Sequence, residues 1–541
     1  MSNSLASNQS SWRMRQVTAL SLALLGASGA QAFSIDSGDS DLELRWDNTV
    51  RYSNAWRLNK IDDKTAASAD NPNIDDGDRN FGRGLISNRL DLLSEFDARY
   101  KRDYGLRVSA AAWYDSVYNQ GNDNQGTTFV NSRSVDSDNF TSDTEKLHGR
   151  KAEFLDAFAY GRFELGESSL NLKAGQFAQI YGESLFFGTN GIAAAQLSPD
   201  VIKATSVPGS QVKEIMMPSK QVSALWQINP DLTFGTYYQL EWRKARLPAA
   251  GSYFSFADFV DEGGESLLTP FGLLRRGHDL DAKDSGQGGV QLKYKAGDYE
   301  FGLYAAVFHD RFPQFYLRPG EGDYQLVYGE NIKTFGTSVS TLIGETNVAA
   351  EVSIRHDMPL VATGNTVILA PGSTADNNDH AAYPVGNTLH ANFSTISVFP
   401  ASPLWEGATL MGELAFNRRL SVTRNADALD PNATRDASAL RVQFQPEYFQ
   451  VLPQVDMQVP INIGYGLSGR SSVNGAGFPA EHGGDISIGL KADYQKTWYG
   501  AINYTHFYGS AGGVVNSAAQ LSYDQVYRDR DFVSLSIQRS F

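Results

Sequence analysis

The chain has 541 residues, a formal net charge of −15 and no cysteine. This length allows two or three soluble domains or one large barrel. The lack of cysteine excludes a small scaffold held by disulfides, and the acidic balance argues against nucleic acid as a partner. Beyond the N-terminal region no run of about 18 apolar residues occurs, so the sequence predicts no transmembrane helix.

Residues 1–32 have the order of a secretory signal peptide. Two arginines precede the apolar run 17–25, and small residues follow up to Ala32. A charged, then apolar, then small order is typical of such peptides, and this apolar run is too short to span a bilayer. We therefore expect cleavage after Ala32 and a single mature domain at residues 33–541.

The first clear element is a long amphipathic strand at 41–58. Most even positions from Leu42 to Leu58 are apolar, and most odd positions from Glu43 to Arg57 are charged or polar. This alternation is typical of a β-strand with one apolar and one polar face. Its length and charge indicate the wall of a membrane barrel, with the apolar face toward lipid and the polar face toward the lumen.

Similar runs recur along the chain and predict an all-β, transmembrane outer-membrane barrel of about eighteen antiparallel strands. Sixteen strands remain an alternative, because the runs at 151–165 and 220–228 are the weakest, and a soluble β-sandwich or propeller is less favoured. Short connections alternate with long ones, which is typical of barrels with short periplasmic turns and long outside loops. The predicted strands are 41–58, 85–102, 106–118, 151–165, 169–181, 220–228, 232–245, 286–296, 299–309, 332–344, 346–356, 386–400, 406–420, 437–451, 455–467, 484–494, 497–508 and 531–541.

Two long loops, at about 182–219 and 246–277, are apolar, unlike the others. Burying apolar surface away from water is favourable by about 25 cal/mol per Å². We therefore expect both loops to fold inward, with short helices at 192–196 and 255–260. They either pack together and narrow the pore, or form an apolar binding site whose neighbouring arginines could hold a carboxylate. The candidate constriction and substrate residues are Leu185, Phe186, Phe187, Ile192, Leu197, Met216, Met217, Phe254, Phe256, Phe259, Phe271, Arg243, Arg246 and Arg276.

The polar face of the predicted wall carries both signs of charge, as at Arg51 and Arg107 against Asp91 and Glu95. A lattice of cross-strand ion pairs that stiffens the wall is the favoured interpretation. A charge ladder that guides anions is the alternative. Neither sign dominates enough to predict selectivity.

The acidic run 75–78 lies in the first long loop and could offer carboxylates to calcium. Its spacing does not match an EF-hand loop, and a solvated acidic loop is the favoured interpretation. No His-Glu-x-x-His spacing, Walker loop or dinucleotide fingerprint occurs in the sequence. We therefore predict no metal site, no cofactor and no catalytic residue.

The last predicted strand alternates Val533, Leu535 and Ile537 with polar residues, and Phe541 follows it. This pattern resembles the signal that the barrel-assembly machinery reads, although Arg539 stands where an apolar residue is usual. We expect this strand to close the barrel against the first one and to place both ends of the wall at the periplasmic side.

Four segments resemble a known family, the proteobacterial outer-membrane proteins that carry domain of unknown function 1302. The resemblance implies an outer-membrane location and the handling of hydrophobic compounds such as lipids or steroids. It also implies a periplasmic or lipoprotein partner and an RND-type exporter, and it transfers no catalytic residue. The segments are 75–81, 87–97, 182–187 and 207–218.

The predicted function is a channel for a hydrophobic or amphipathic small molecule in the outer membrane of a Gram-negative cell, and not an enzyme. Its predicted partners are outer-membrane lipid, the barrel-assembly machinery and that substrate. One alternative is a porin for small polar or anionic solutes. Another is an outer-membrane hydrolase that would need a serine and a histidine of the wall in contact, such as Ser394 and His390.

Overall fold

The computed structural model describes residues 33–35, 38–65, 71–126, 129–208, 210 and 212–541, and the predicted signal peptide lies outside them. Within this part of the chain, eighteen antiparallel strands form a closed barrel. The wall strands are β1 Leu42–Arg57, β2 Gly84–Tyr100, β3 Tyr104–Asp115, β4 Arg150–Leu165, β5 Ser168–Phe177, β6 Ser219–Asn229, β7 Leu232–Gln239, β8 Gln287–Ala296, β9 Tyr299–Phe308, β10 Ile332–Ile343, β11 Thr346–Pro359, β12 Val385–Phe399, β13 Gly407–Arg424, β14 Asp436–Leu452, β15 Val455–Gln458 continued by Ile461–Ser468, β16 Gly484–Tyr494, β17 Trp498–Tyr508 and β18 Phe532–Ser540.

The outer face of the wall is apolar. Phe154, Leu303 and Phe335 expose 66%, 58% and 56% of their surface there, whereas the inward-facing Arg51 and Ser53 of β1 are buried. A continuous exposed apolar band is unfavourable in water and suits a lipid environment. Exposed tyrosines form a ring at the end of the barrel that carries the short connections, namely Tyr100, Tyr104, Tyr294, Tyr299, Tyr494 and Tyr499.

The barrel closes between its first and last strands. β18 pairs with β1 antiparallel, and Phe541 and Asn48 exchange backbone hydrogen bonds of 2.7 and 2.8 Å just beyond the last paired residue. The guanidinium of Arg539 lies 5.0 Å from the ring centroid of Trp498 on the neighbouring strand. This cation–π contact explains how an arginine is accommodated on the otherwise apolar outer face of β18.

The long connections contain further short elements. Strands at Ser266–Thr269, Gly272–Arg276, Asp323–Val327, Gln314–Arg318 and Thr366–Ile368 pair in this order to form a five-stranded inner sheet. Other short strands lie at Phe33–Ile35, Ser198–Pro199 and Met216–Met217. The helices are Asp76–Arg79, Ser142–Thr144, Glu145–Gly149, Ile192–Ala195, Val201–Thr205, Val212–Ile215, Thr363–Asn365 and Ala426–Ala428. None of the described helices is long and apolar enough to cross a membrane.

The predicted count of eighteen strands is confirmed, and both weak runs are wall strands, β4 and β6. The predicted strand 232–245 ends earlier, at Gln239, because the chain then leaves the wall and the N–H of Trp242 bonds the side chain of Asp284 at the other end of the same connection. The predicted helix at 255–260 is wrong. In its place the backbone N–H of Asp258 donates to the carbonyl of Asn73, which ties two loops together.

Candidate functional site

The connection between β5 and β6, residues 178–218, runs through the barrel, and we call it the constriction segment. It contains the 3-10 helix Ile192–Ala195. Its backbone and side chains bond inward-facing residues of β11, β12 and β13. β6 and β12 are six positions apart in the order of eighteen wall strands, so the segment crosses the lumen to reach them. The predicted inward folding of this loop is therefore what the structure shows.

Glu413 of β13 anchors the first part of the segment. One oxygen of its carboxylate accepts the backbone N–H groups of Leu185 (3.2 Å), Phe187 (2.8 Å) and Phe186. The other oxygen accepts the side-chain amide of Asn392 at 2.6 Å. Glu413 is 1% exposed. Bonds between an ionised acceptor and backbone N–H groups are stronger than neutral ones, so this carboxylate holds three successive residues at the wall.

Glu351 of β11 binds the segment on either side of this stretch. Its carboxylate accepts the backbone N–H groups of Glu183 at 2.6 Å and Ile192 at 2.9 Å. Gly182 has φ +94°, and a β-carbon at this position would lie 2.5 Å from Oε2 of Glu351. A β-carbon at Gly191 would also overlap that carboxylate. The two glycines thus let the segment wrap closely around Glu351.

Arg355 and Asn190 complete the attachment. One guanidinium nitrogen of Arg355 donates to the three carbonyls of residues 189–191 at 2.8 to 3.0 Å. The side-chain amide of the fully buried Asn190 donates to Asn392 Oδ1 at 2.8 Å, and its oxygen bonds Nδ1 of His390 at 3.0 Å. Wall side chains therefore bond both the N–H groups and the carbonyl groups of the segment.

The predicted apolar residues of this segment mostly pack against the wall. Ile192 lies among three tyrosines, and Phe187 packs on two alanines of β13 and β14 with Phe186 beside it. Leu185 stays 39% exposed. The remaining members of the predicted group are the half-buried Leu197 and Met216 and the buried Met217.

The second apolar loop belongs to residues 240–286, which we call the covering loop. Phe254 is buried in an aromatic cluster beside the long-connection ends of β1 and β18. Phe256 and Phe259 pack on the apolar cluster of the inner sheet. Phe271 lies at the tip of a hairpin and is 61% exposed. This loop thus covers the barrel end and buries most of its apolar surface in doing so.

Two of the three predicted arginines are bound by carboxylates of the protein. Arg246 bonds Glu153 at 2.5 Å and Asp200 at 2.6 Å. Burial alone would lower the pKa of Arg246, but these two partners outweigh burial and raise it. Arg276 bonds Asp279 at 2.6 Å. Both arginines therefore stabilise loops in this structure.

The third arginine belongs to a cationic group that sequence reasoning did not identify. Arg243 donates to the carbonyl of Pro218, and Lys151 lies near it on β4. The ammonium of the buried Lys203 lies 5.3 Å from the ring centroid of Trp113 and has no ion pair among the described residues. Burial lowers the pKa of Arg243 and Lys203. Of these three cations, Lys151 pairs with Glu153 at 3.7 Å, whereas no described ion pair holds Arg243 or Lys203.

Most remaining lumen charges form cross-strand pairs. Arg107 of β3 contacts Asp97 at 3.2 Å and Asp156 at 3.4 Å, and also Glu95. These residues lie on three adjacent strands. The ion-pair lattice, rather than a ladder of unpaired charges, is what this part of the wall contains.

The serine and histidine considered for a hydrolase are not paired with each other. Nε2 of His390 lies 2.8 Å from the hydroxyl of Thr388, and its Nδ1 bonds Asn190. The hydroxyl of Ser394 donates to the carbonyl of Glu183 at 3.0 Å. Both side chains hold the constriction segment.

Several inward-facing wall residues of the site were not predicted from the sequence. Glu351 and Arg355 of β11, Glu413 of β13 and Trp113 of β3 all occupy inward positions in strands that alternate with period two. Their inward position can be read from this alternation. Carboxylates and arginines are common on the lumen face, as at Glu95 and Arg107, so their contacts with the constriction segment cannot be read from it.

Fold and site together define a transmembrane β-barrel whose lumen is narrowed by one of its own connections. The sequence model of the family described as "Protein of unknown function (DUF1302)" matches residues 13–541, so the chain belongs to this family. No curated protein matches the chain.

Three solved structures are similar to this barrel in fold, among others. OccAB1 of Acinetobacter baumannii is 10% identical, with 95% of this chain and 99% of that chain covered and a TM-score of 0.40. OpdK of Pseudomonas aeruginosa with vanillate is 11% identical, with 92% and 98% covered and a TM-score of 0.39. OccK2 (OpdF) of Pseudomonas aeruginosa in complex with glucuronate is 12% identical, with 94% and 99% covered and a TM-score of 0.40.

Proposed function

We propose that the protein is an outer-membrane channel for a hydrophobic or amphipathic small molecule of the lipid or steroid class. The observation that carries this proposal is the constriction segment, which leaves the wall at Phe177 and is bound at β11 to β13 across the lumen. A segment that only sealed the barrel could be apolar throughout. This one is bound by a few polar groups that can release it, as a gate requires.

Apolar groups exposed at the long-connection end support the substrate class. Phe271 and its neighbours Leu268 and Leu273 are exposed on one hairpin of the covering loop, and Leu185 is exposed on the constriction segment. A solute with an apolar body would contact the hairpin first and Leu185 later. An acidic group on the same solute would find Arg243 and Lys203 deeper in the barrel.

Planar-bilayer recordings of the purified barrel test this function. We expect small or gated conductance for the wild-type chain and a larger, steady conductance after deletion of 185–197. A medium-chain fatty acid should block the residual current of the wild-type barrel more strongly than a sugar of similar size. Unchanged conductance after the deletion would reject the constriction, and equal block by both solutes would reject the substrate class.

A channel for small anionic solutes is a second candidate, favoured by the cationic group at Arg243 and Lys203. The current reversal potential in a salt gradient measures this preference directly. Lys203→Gln combined with Arg243→Gln should move the reversal potential toward cation preference if anions pass this group. An unshifted reversal potential would leave the amphipathic substrate as the better candidate.

A further inference from the structure

Three carboxylates from two loops meet at the long-connection end of the barrel. Asp75 and Asp76 belong to the connection between β1 and β2, and Asp258 belongs to the covering loop. One oxygen from each lies within 4.8 Å of the others. The predicted solvated acidic loop at 75–78 is wrong, because Asp75 is 3% exposed and Asp78 is 0% exposed.

The two carboxylate oxygens of Asp258 differ in their hydrogen bonding. Its Oδ2 accepts the backbone N–H groups of Asp75 at 2.7 Å and Asp76 at 3.2 Å. Its Oδ1 is buried and has no hydrogen-bond partner among the described residues. Most buried polar atoms in proteins have a partner, so an orphaned carboxylate oxygen points to a ligand.

A small cavity lies beside two of the three carboxylates. Asp76 and Asp258 line it together with Asn80, Thr141 and Gly251, and its volume is about 20 Å³. A cavity needs about 10 to 15 Å³ on this measure to hold one water molecule. The space therefore suits one small cation or one water. Side-chain oxygens of Asn80 and Thr141 and loop carbonyls could add neutral ligands around it.

The charge of this group is not balanced by the protein. Arg79 donates to Asp75 and is the one cation paired with the three carboxylates in the described part of the chain. With all three ionised, the group would carry two net negative charges. Burial raises the pKa of Asp258 well above its ordinary value and that of Asp76 to about 7, and mutual repulsion adds to both effects. Protons and cations would therefore compete for this group.

We propose that Asp75, Asp76 and Asp258 form a divalent-cation site, suited to Ca²⁺, that ties the first long connection to the covering loop. Ca²⁺ takes six to eight oxygen ligands and tolerates irregular geometry, as loop carboxylates and carbonyls provide. Extracellular modules bind Ca²⁺ with dissociation constants of roughly 10⁻⁴ to 10⁻³ M. A cation bound here would hold the covering loop closed over the barrel.

Calcium titration of the purified full-length barrel in detergent tests this proposal. After treatment with a chelator, we expect calorimetry to show one Ca²⁺ per chain, and Ca²⁺ to slow proteolysis of the covering loop. Asp258→Asn should weaken binding at least about tenfold, which corresponds to about 1.4 kcal/mol for a lost charged ligand. Asp76→Asn should act in the same direction, and because Asp76 is half-buried it serves as the second variant if Asp258→Asn fails to fold.

Asp427→Asn is the matched control, because Asp427 is an exposed acidic residue at the same end of the barrel. It should leave the affinity and the stoichiometry unchanged. Absence of binding at millimolar Ca²⁺ would overturn the proposal and indicate that the carboxyl groups share protons. Equal binding by the wild-type chain and both site variants would overturn it as well, because the bound calcium would then lie elsewhere.

Discussion

The two apolar loops are held in the barrel by different means. The constriction segment is attached through single polar groups of the wall, chiefly Glu413, Glu351 and Arg355, and two small apolar clusters add to this attachment. The covering loop is attached through a broad apolar cluster that includes Leu326 and Tyr324 of the inner sheet. Both loops have similar apolar composition, so composition alone does not decide how a loop is held.

This difference in attachment indicates how readily each loop can open. A few buried charge-assisted bonds can be lost together when one residue changes or when water enters. An apolar cluster spreads its stabilisation over many side chains, so it opens only when much surface is exposed at once. The constriction segment is therefore the better candidate for a gate, and the covering loop is the better candidate for a stable lid.

Glu413→Ala should have the largest effect of the variants considered, because it weakens the attachment of the constriction segment. It would leave three backbone N–H groups and the amide of Asn392 without their acceptor. A buried donor that loses its acceptor costs about 1 to 3 kcal/mol, and the Phe187 N–H and the Asn392 amide are such donors, so the bound state of the segment should lose at least about 2 kcal/mol relative to the released state. We expect a clear rise in single-channel conductance, together with faster labelling of a cysteine placed at Leu185.

Two variants control this experiment. Glu413→Gln keeps the shape and one accepting oxygen, so its effect should lie between those of the wild type and Glu413→Ala. Glu447→Ala removes a wall carboxylate that contacts glutamine side chains instead of the constriction segment, and it should leave conductance unchanged. Wild-type conductance in Glu413→Ala would show that other contacts hold the segment.

Leu326→Ala should have the next largest effect, on the covering loop. Leu326 is fully buried in the inner-sheet cluster, and such a truncation costs about 3 kcal/mol. We expect faster hydrogen exchange in strands Asp323–Val327 and Gly272–Arg276 with no change in conductance. Leu268→Ala, at an exposed position of the same sheet, should change neither. A conductance rise in Leu326→Ala would mean that the two loops open together.

The wall could be predicted from sequence because its signal is local. Alternation of Leu535 and Ile537 with serines predicts a strand wherever its partner lies, and the structure confirms that strand as β18. The contact between Glu413 and Phe187 joins residues 226 positions apart. An inward carboxylate has the same sequence pattern whether it meets water, an arginine or a loop, so the anchors could not be predicted.

The loops show the same limit. The short helix at 192–196 was predicted nearly correctly because its residues bond one another. The helix at 255–260 was not formed, because Asp258 bonds the distant loop that carries Asn73 and Asp75. Local propensity decides such segments only when no stronger distant partner exists.

The smallest predicted effect lies at the junction between the β3–β4 connection and the covering loop, where His148 accepts the backbone N–H of Ala249 of the covering loop at 3.1 Å. Burial, with nearby Arg89 and Arg246, lowers the pKa of His148 from 6.5 to about 3. Between these values an opened loop binds a proton that the closed loop does not, so closure weakens as pH falls. At pH 5.5 the free energy that favours the closed loop falls by about 1.4 kcal/mol. The Ala249 amide should then exchange about tenfold faster, because its exchange requires the loop to open. Hydrogen exchange corrected for its intrinsic pH dependence measures this, and His148→Gln, which keeps an acceptor but does not titrate, should abolish it. A pH dependence that survives in His148→Gln would assign the effect to another group at the junction.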